Sequence, residues 1–223
     1  MKRTPIKERI LPNYTKGEDN ANMITHIVGG GIGVLTLLGV LAVAIIHLNV
    51  WGIVSGSIYG FTMIALFTVS SVYHGLNAGT GKKVMQVIDH CTIYFLIAGT
   101  YTPILLSAIR PDHPALAWTI FGIEWGLTFF AATLNAIDLK KYSVISMVCY
   151  IAMGWCIIIA LPQTISSVSK AGFVYLLAGG IAYTIGAVLY LIGAKKKYYH
   201  TVFHIFVDMG AILQAISIIF YCV

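Results

Sequence analysis

Seven long apolar runs dominate this sequence of 223 residues and restrict its fold more than any other feature. Each run is close to or above the roughly 20 apolar residues that a helix needs to cross a bilayer. The runs cover approximately residues 23–47, 50–74, 85–109, 115–137, 143–164, 171–194 and 199–222. With 58% hydrophobic and 10% charged residues, the composition excludes an ordinary soluble domain. We therefore predict an all-α integral membrane protein, a seven-transmembrane helix bundle over residues 23–223 that follows a short N-terminal segment, residues 1–22.

The basic residues lie almost entirely on one side of the predicted spans. Of the 14 Lys and Arg residues, all but Arg110 and Lys170 fall in the N-terminal segment or in loops on the same side of the membrane. By the positive-inside rule, the N-terminus is cytoplasmic and Val223 is outside. The net charge of +6 is then explained by topology and by attraction to anionic lipid. We predict a multi-pass protein of the cell membrane with lipid partners and no nucleic-acid partner.

Five ionisable residues are predicted at the cytoplasmic ends of their helices, at one level of the membrane. They are His26, His74, Asp89, His200 and His204. Histidines four residues apart, such as His200 and His204, stand one turn apart on one face of a helix. Ser70 lies on the same helical face as His74, one turn deeper. Ionisable groups at this depth are costly unless they pair, meet water or bind an ion.

Two interpretations of this constellation follow from the residues. In the first, each histidine is an interfacial residue that hydrogen-bonds to backbone or lipid headgroups independently of the others. In the second, three imidazoles without a thiolate bind zinc and leave a fourth position for water, as catalytic sites do. Asp89 could then orient that water and accept its proton, or support a ligand histidine from outside the coordination sphere.

The order of these residues resembles that of the progestin and adipoQ receptor family. The motifs are, in order, Glu18-x3-Asn22-x3-His26, Ser70-x3-His74 with Asp89, and His200-x3-His204. In addition, the segment Ala98-Gly99-Thr100-Tyr101-Thr102-Pro103 is similar to the third helix of the bacterial hemolysin III-like branch of this family. The resemblance implies a zinc ion held by His74, His200 and His204 near the cytoplasmic leaflet. It also implies that Asp89 and Ser70 lie beside the zinc-bound water.

The resemblance further implies a chemistry, because the receptors and the similar alkaline ceramidases are associated with hydrolysis of ceramide-like lipid amides. The sequence prediction is therefore a zinc-dependent hydrolase of lipid amide or ester bonds, with Asp89 as base and Ser70 as hydroxyl donor. One alternative is a non-enzymatic protein of membrane homeostasis or signalling with a structural zinc. The other alternative is a hemolysin III-type cytolysin.

Four further residues are candidates for support of the metal ligands. Glu18 and Asn22 are predicted to precede the first helix, where they could cap it or reach a ligand histidine. His26 is placed outside the ligand set. Asp208 follows His204 by one turn and lies about 12 Å from His200 along the helix axis. This position suits a deeper supporting group or a buried protonated acid.

Small residues recur every seven positions along the sixth predicted span. They are Gly172, Gly179, Gly186 and Gly193. Such a stripe lets another helix lie close, so we predict either packing within the bundle or a homo-oligomer contact through this face.

Three residues within the spans are interpreted structurally. Pro103 is predicted to kink the third helix, because proline has no N–H and its ring clashes with the preceding turn. Glu124 lies near the middle of the fourth span, where we expect a hydrogen bond to satisfy it. His90 follows Asp89 directly and points about 100° away around the helix, which makes it a poor co-ligand.

Overall fold

The structure is a computed structural model that describes residues 3–193 and 196–223. All regular secondary structure within these ranges is helical. The α-helices are α1 (Lys16–Ile46), α2 (Val50–Gly75), α3 (Thr80–Pro103), α4 (Pro114–Asp138), α5 (Ser143–Gly154), α6 (Leu161–Gly193) and α7 (Tyr199–Tyr221). Shorter segments are a 3-10 turn at Ile6–Glu8, a π-helix at Ile104–Ile109 and a 3-10 helix at Cys156–Ala160.

Among the described residues, six helical stretches are long and apolar enough to cross a membrane, and the longest, Ser143–Gly193, folds back on itself. Its backbone leaves helical geometry at Ser169, with φ 63° and ψ 165°. The indole of Trp155 donates a hydrogen bond to the Thr184 hydroxyl at 3.1 Å, although 29 residues of straight helix would separate them by about 43 Å. The stretch therefore reverses at Ser169 and supplies two arms, so the part of the chain that the structure describes has seven apolar arms.

Neighbouring arms pack against each other in a bundle. The largest contacts join α1 to α2, α2 to α3, α3 to α4 and α6 to α7, and α1 also meets α7. Buried apolar side chains such as Tyr59, Phe67, Leu105 and Ile218 form the core. Large apolar side chains also cover the outside, where Leu35 is 71% exposed. An apolar exterior is what a lipid environment requires, so the chain is a multi-pass membrane protein.

The first helix begins earlier than the hydropathy indicates. A capping box starts it at Lys16, because the Thr15 hydroxyl accepts from the Glu18 amide at 3.3 Å and the Glu18 carboxylate accepts from the Thr15 amide at 2.9 Å. Glu18 and Asn22 therefore lie inside α1, and the expectation that they precede it is wrong. The first two turns of α1 are polar, so a search for apolar runs does not detect them.

The third predicted span consists of α3 and the π-helix that follows it. The chain passes through Pro103 directly into the π-helix, which ends at Ile109. Proline has no N–H to donate, and at this point the chain changes to the wider turns of a π-helix. Both features are recognised causes of helix distortion. The hydroxyls of Thr100 and Thr102 each donate to the backbone carbonyl four residues earlier, at 2.8 and 2.7 Å.

The glycine stripe of α6 is covered by α7 within the same chain. A Cβ added at Gly172 would lie 2.8 Å from the Cβ of Tyr221, and one at Gly179 would lie 3.0 Å from the Gly210 carbonyl. The close packing predicted from the stripe is present inside the bundle. The face proposed for a homo-oligomer contact is therefore occupied by α7.

Glu124 lies on the fully buried side of α4. Both carboxyl oxygens lack a hydrogen-bond partner within residues 3–193 and 196–223, so the expected hydrogen bond is not found. The thiol of Cys156 is close to the carboxyl and interacts with it weakly, at the limit of hydrogen-bonding geometry. Glu124 is buried because it lies on the face of α4 that packs inward. Its residue type alone does not predict this burial.

Candidate metal centre

Two imidazoles meet at the start of α7. His200 and His204 stand one turn apart, and their Nε2 atoms are 3.1 Å from each other. Their spacing of four residues places both rings on the face that turns toward α1 and α2. Two ring nitrogens at this separation can share a single ion or a single proton.

His74 completes the cluster from the last turn of α2. Its ring centroid is 5.2 Å from those of both His200 and His204. One nitrogen from each of the three rings lies within 4.8 Å of the other two. The Nε2 of His74 is buried and has no hydrogen-bond partner among the described residues, which fits a lone pair reserved for a ligand. The buried cluster could therefore hold a metal ion.

A carboxylate and an ammonium support His74 from the side away from the cluster. The Nδ1 of His74 donates to the Asp19 carboxylate at 3.0 Å, and Lys82 donates to the other oxygen of Asp19 at 2.6 Å. The amide nitrogen of Asn22 is more distant, at 3.5 Å, so the shorter contact to Asp19 decides the tautomer. A proton on Nδ1 leaves the Nε2 lone pair free, as ligand histidines require.

The backbone of α1 orients His204 in the same way. The Nδ1 of His204 donates to the Asn22 carbonyl at 3.2 Å, and the Thr25 hydroxyl is also 3.2 Å away. The side-chain oxygen of Asn22 accepts from the Thr201 hydroxyl at 2.5 Å, which joins α1 to α7 at this level. Asn22 thus contacts the cluster through both its backbone and its side chain.

A large cavity begins at this cluster and runs into the bundle. Its volume is about 580 Å³, within the range of small-molecule sites. His200, His204, Ser70 and Asp89 form part of its wall, and most of the remaining lining is apolar. The cavity also reaches Ile104, fifteen residues beyond Asp89 on the third span, so it extends about 22 Å along the bundle.

The structure places the two predicted catalytic residues in the cavity wall. Asp89 is 8% exposed and Ser70 is 1% exposed. Asp89 stands outside the group of three converging imidazoles. His90, predicted to be a poor co-ligand, is also outside that group. Its Nδ1 nevertheless lies 3.8 Å from the Asp89 carboxylate, and the residue lines the cavity.

The four predicted supporting residues have different environments. Asn22 contacts the ligand histidines as described above, whereas Glu18 caps α1 and accepts from the Tyr198 amide at 2.9 Å. His26 lies against His204 without contributing to the converging group. Asp208 packs against α1 at Gly29, where an added Cβ would lie 2.6 Å from its Oδ1.

Sequence reasoning missed three residues near the cluster, Asp19, Lys82 and Tyr14. The ring of Tyr14 stacks on that of His200, with centroids 5.1 Å apart and planes 25° from parallel. Burial raises the pKa of Tyr14, and the neighbouring Tyr190, Asp19, Asp89 and Glu18 raise this pKa further. The Thr15–Glu18 capping box was the available signal, since it places Tyr14 and Asp19 directly at the helix start.

A helical bundle of seven apolar arms, with three buried imidazoles at one end of an apolar cavity, defines a multi-pass membrane protein with a candidate metal site. The chain belongs to the Haemolysin-III related family, whose family model matches residues 14–215. That match includes all residues of the cluster and its supporting contacts. It confirms the resemblance inferred from the order of the motifs.

Curated relatives align over almost the whole chain. Hemolysin-3 homolog of Bacillus subtilis (strain 168) is 35% identical over 94% of this chain and 97% of the relative. Hemolysin-3 of Bacillus cereus is 35% identical over 92% of this chain and 91% of the relative. The human Monocyte to macrophage differentiation factor is 27% identical over 97% of this chain and 88% of the relative. No solved structure matches the chain.

Proposed function

We propose that this protein is a zinc-dependent membrane hydrolase that cleaves amide or ester bonds of lipids, with ceramide-like molecules as the substrate class. The observation that carries the proposal is the position of the imidazole cluster at one end of a long apolar cavity whose wall also contains Asp89 and Ser70. A structural metal site has no need of an adjoining cavity of this size, whereas a lipid hydrolase has.

The residues that would hold the metal are His74, His200 and His204. Three imidazoles without a thiolate suit zinc, and three protein ligands leave one position open. A bound zinc ion would supply Lewis acidity to a carbonyl oxygen and acidify a water molecule. The hydrogen bonds from Nδ1 of His74 and His204 fix the ring orientations before the ion arrives.

Asp89 is assigned as the general base and Ser70 as a nearby hydrogen-bond donor. A carboxylate in the cavity wall can accept the proton of an attacking water and return it to the leaving amine or alkoxide. The Ser70 hydroxyl lies one turn deeper than His74, on the face that lines the cavity, where it can donate to a substrate oxygen.

The cavity supports a lipid substrate with a long hydrocarbon chain. Between Asp89 and Ile104 it extends about 22 Å, lined mainly by aliphatic and aromatic side chains. Apolar walls bind a hydrocarbon chain through the hydrophobic effect, and the histidine and aspartate side chains of the lining lie at the end that carries the cluster. With its hydrocarbon chain in the cavity, a lipid of this class would have its scissile carbonyl next to the imidazoles.

The second candidate function is a non-enzymatic role in membrane homeostasis or signalling, with a structural zinc. A closed site needs a fourth protein ligand, and Asp89 is the carboxylate available to supply it. Asp89 lies outside the converging group, which favours the open site. A cytolytic function is suggested by the name of the Bacillus cereus relative, but the apolar wall of the cavity does not suit an aqueous pore.

The test is metal analysis and lipid hydrolysis with the same purified protein. We expect one zinc per chain in the wild type, with loss of zinc in His74→Ala, His200→Ala and His204→Ala variants. The zinc-loaded wild type in liposomes should hydrolyse long-chain ceramide analogues or the matched esters. Zinc-loaded protein that cleaves neither amides nor esters would reject the hydrolase and leave the structural-zinc candidate.

A further inference from the structure

The N-terminal strap, residues 3–15, crosses the end of the bundle that carries the imidazole cluster. Its early part is fixed to the end of α4, where Arg9 donates to the Ile137 carbonyl at 2.6 Å and the Thr4 amide donates to the Asp138 carboxylate at 3.2 Å. Lys83 of α3 donates to the Lys7 carbonyl at 2.6 Å. The strap is thus held by side chains and backbone groups of α3 and α4.

The later part of the strap ends directly over the cluster. Tyr14 covers His200, with centroids 5.1 Å apart, and its centroid is 5.8 Å from that of His74. The next residue, Thr15, is the N-cap of α1, and its hydroxyl donates to the Glu18 carboxylate at 2.7 Å. Glu18 in turn accepts from the Tyr198 amide, which joins this corner to the turn before α7.

Tyr14 contacts the cluster from outside the cavity. His200, His204 and Asp89 line the cavity, whereas Tyr14 and His74 do not. The cluster therefore borders the apolar cavity and, through His200 and His74, also contacts the tyrosine ring at the end of the strap. The Tyr14 ring stacks on His200 with an offset, so it covers part of the imidazole and restricts the access of water to it.

We infer that Tyr14 closes the cluster on the side of the strap, which holds the tyrosine ring in place. Water and metal ions then exchange past this ring, whereas lipids approach through the cavity. The metal part of this inference rests on the proposed function; the closure itself does not. Exchange then requires that the Tyr14 ring leave His200, which loosening of the strap at Arg9 facilitates.

The closure is tested on metal-free protein with diethylpyrocarbonate, which modifies accessible neutral imidazoles, and site-resolved mass spectrometry. Loss of the ring in Tyr14→Ala should speed modification of His200 by about three- to tenfold. Tyr14→Phe keeps the ring and should match the wild type. Arg9→Ala leaves the ring in place but frees its tether, so an intermediate rate is expected.

Controls separate closure from unfolding. His47 and His113 lie at the opposite end of the bundle, and their modification rates should be equal in all variants. Lys16→Ala changes an exposed residue next to the strap and should leave the His200 rate unchanged. Equal His200 rates in the wild type and Tyr14→Ala, with His47 unchanged, would overturn the closure.

Zinc release to excess chelator provides the second measurement. Tyr14→Ala should load zinc to the wild-type stoichiometry and release it about three- to tenfold faster. Wild-type protein without zinc would reject the proposed function but not the closure, which the metal-free measurement decides. Unchanged release from fully loaded Tyr14→Ala would show that metal exchange does not pass this ring.

Discussion

The imidazole of His26 lies flat against that of His204, with ring centroids 3.6 Å apart and planes 8° from parallel. The edge of the Phe67 ring packs against His26, at a centroid distance of 5.1 Å. Both nitrogens of His26 are buried without hydrogen-bond partners among the described residues. His26 thus acts on the cluster through the face of its ring, and its nitrogens are not in the converging group.

The stacking predicts that His26 contributes to stability through the packing of its ring and that its nitrogens are not needed for zinc binding. His26→Phe keeps a flat ring against His204, so we expect full zinc content and near wild-type thermal stability. His26→Ala should retain zinc but lose stability, by about 3–5 kcal/mol if it behaves as a buried aromatic residue replaced by alanine. Metal analysis and thermal unfolding in detergent measure both. Loss of zinc from His26→Phe would instead make a nitrogen of His26 a ligand.

Asp89→Asn separates the catalytic assignment from a role in metal binding. The substitution preserves size and one oxygen but removes the charge that accepts a proton. We expect unchanged zinc content and a fall in lipid hydrolysis of about 10²–10⁴-fold, the usual contribution of a general base. Parallel metal analysis and turnover assays measure the two effects. If Asp89→Asn lost its zinc, Asp89 would be the fourth ligand of a closed site.

Asp19 is expected to tune metal affinity without contacting the ion. Asp19→Ala removes the acceptor that holds the Nδ1 proton of His74, so zinc affinity should fall about 10–100-fold, as for other supporting carboxylates. Asp19→Asn keeps an acceptor oxygen and should have a smaller effect. Competition with a chelator of known affinity measures this series. Asp112→Ala, at an exposed loop position, is the matched control.

The buried carboxyl of Glu124, which has no well-formed hydrogen bond among the described residues, is expected to cost stability. Glu124→Met replaces it with an apolar side chain of similar length, and removal of an unsatisfied buried polar group should raise the free energy of unfolding by about 1–3 kcal/mol. Thermal unfolding in detergent tests this, with the exposed Thr133→Val on the same helix as control. If the Glu124→Met variant were less stable than the wild type, the carboxyl would have a stabilising partner in the membrane-embedded protein.

The orientation of the bundle stays a prediction from the distribution of Lys and Arg. A reporter that is active only outside the cytoplasm should be active when fused after Val223 and inactive when fused before the strap. The opposite pattern would reverse the bundle and place the cluster near the outer leaflet.

The sequence predicts the spans well because a membrane helix must be apolar over its whole crossing, and that requirement is local in the chain. It also indicates His200 and His204 as partners, because a spacing of four residues fixes their common face. The contact between Asp19 and His74 depends on how α1 and α2 are aligned along their axes, at a separation of 55 residues. No periodicity in either helix encodes that alignment.

The same limit applies to Tyr14 and Glu124. Tyr14 covers His200 only because the strap is anchored to α3 and α4, which lie far from it in sequence. Glu124 is recognisable as a costly residue, but its lack of a partner depends on which side chains of other helices face it. Long-range packing, and not residue type, decides both environments.

The reversal at Ser169 affects how the topology of this protein is mapped. The chain passes from its fifth crossing to its sixth without the connecting residues that separate α2 from α3 at 76–79. Epitope tags inserted between crossings are accepted where a flexible connection can absorb them. A tag scan would find such a place at 76–79 and none at Ser169. Such a scan would therefore miss the turn between the fifth and sixth arms, which has to be located by labelling single residues on either side of Ser169.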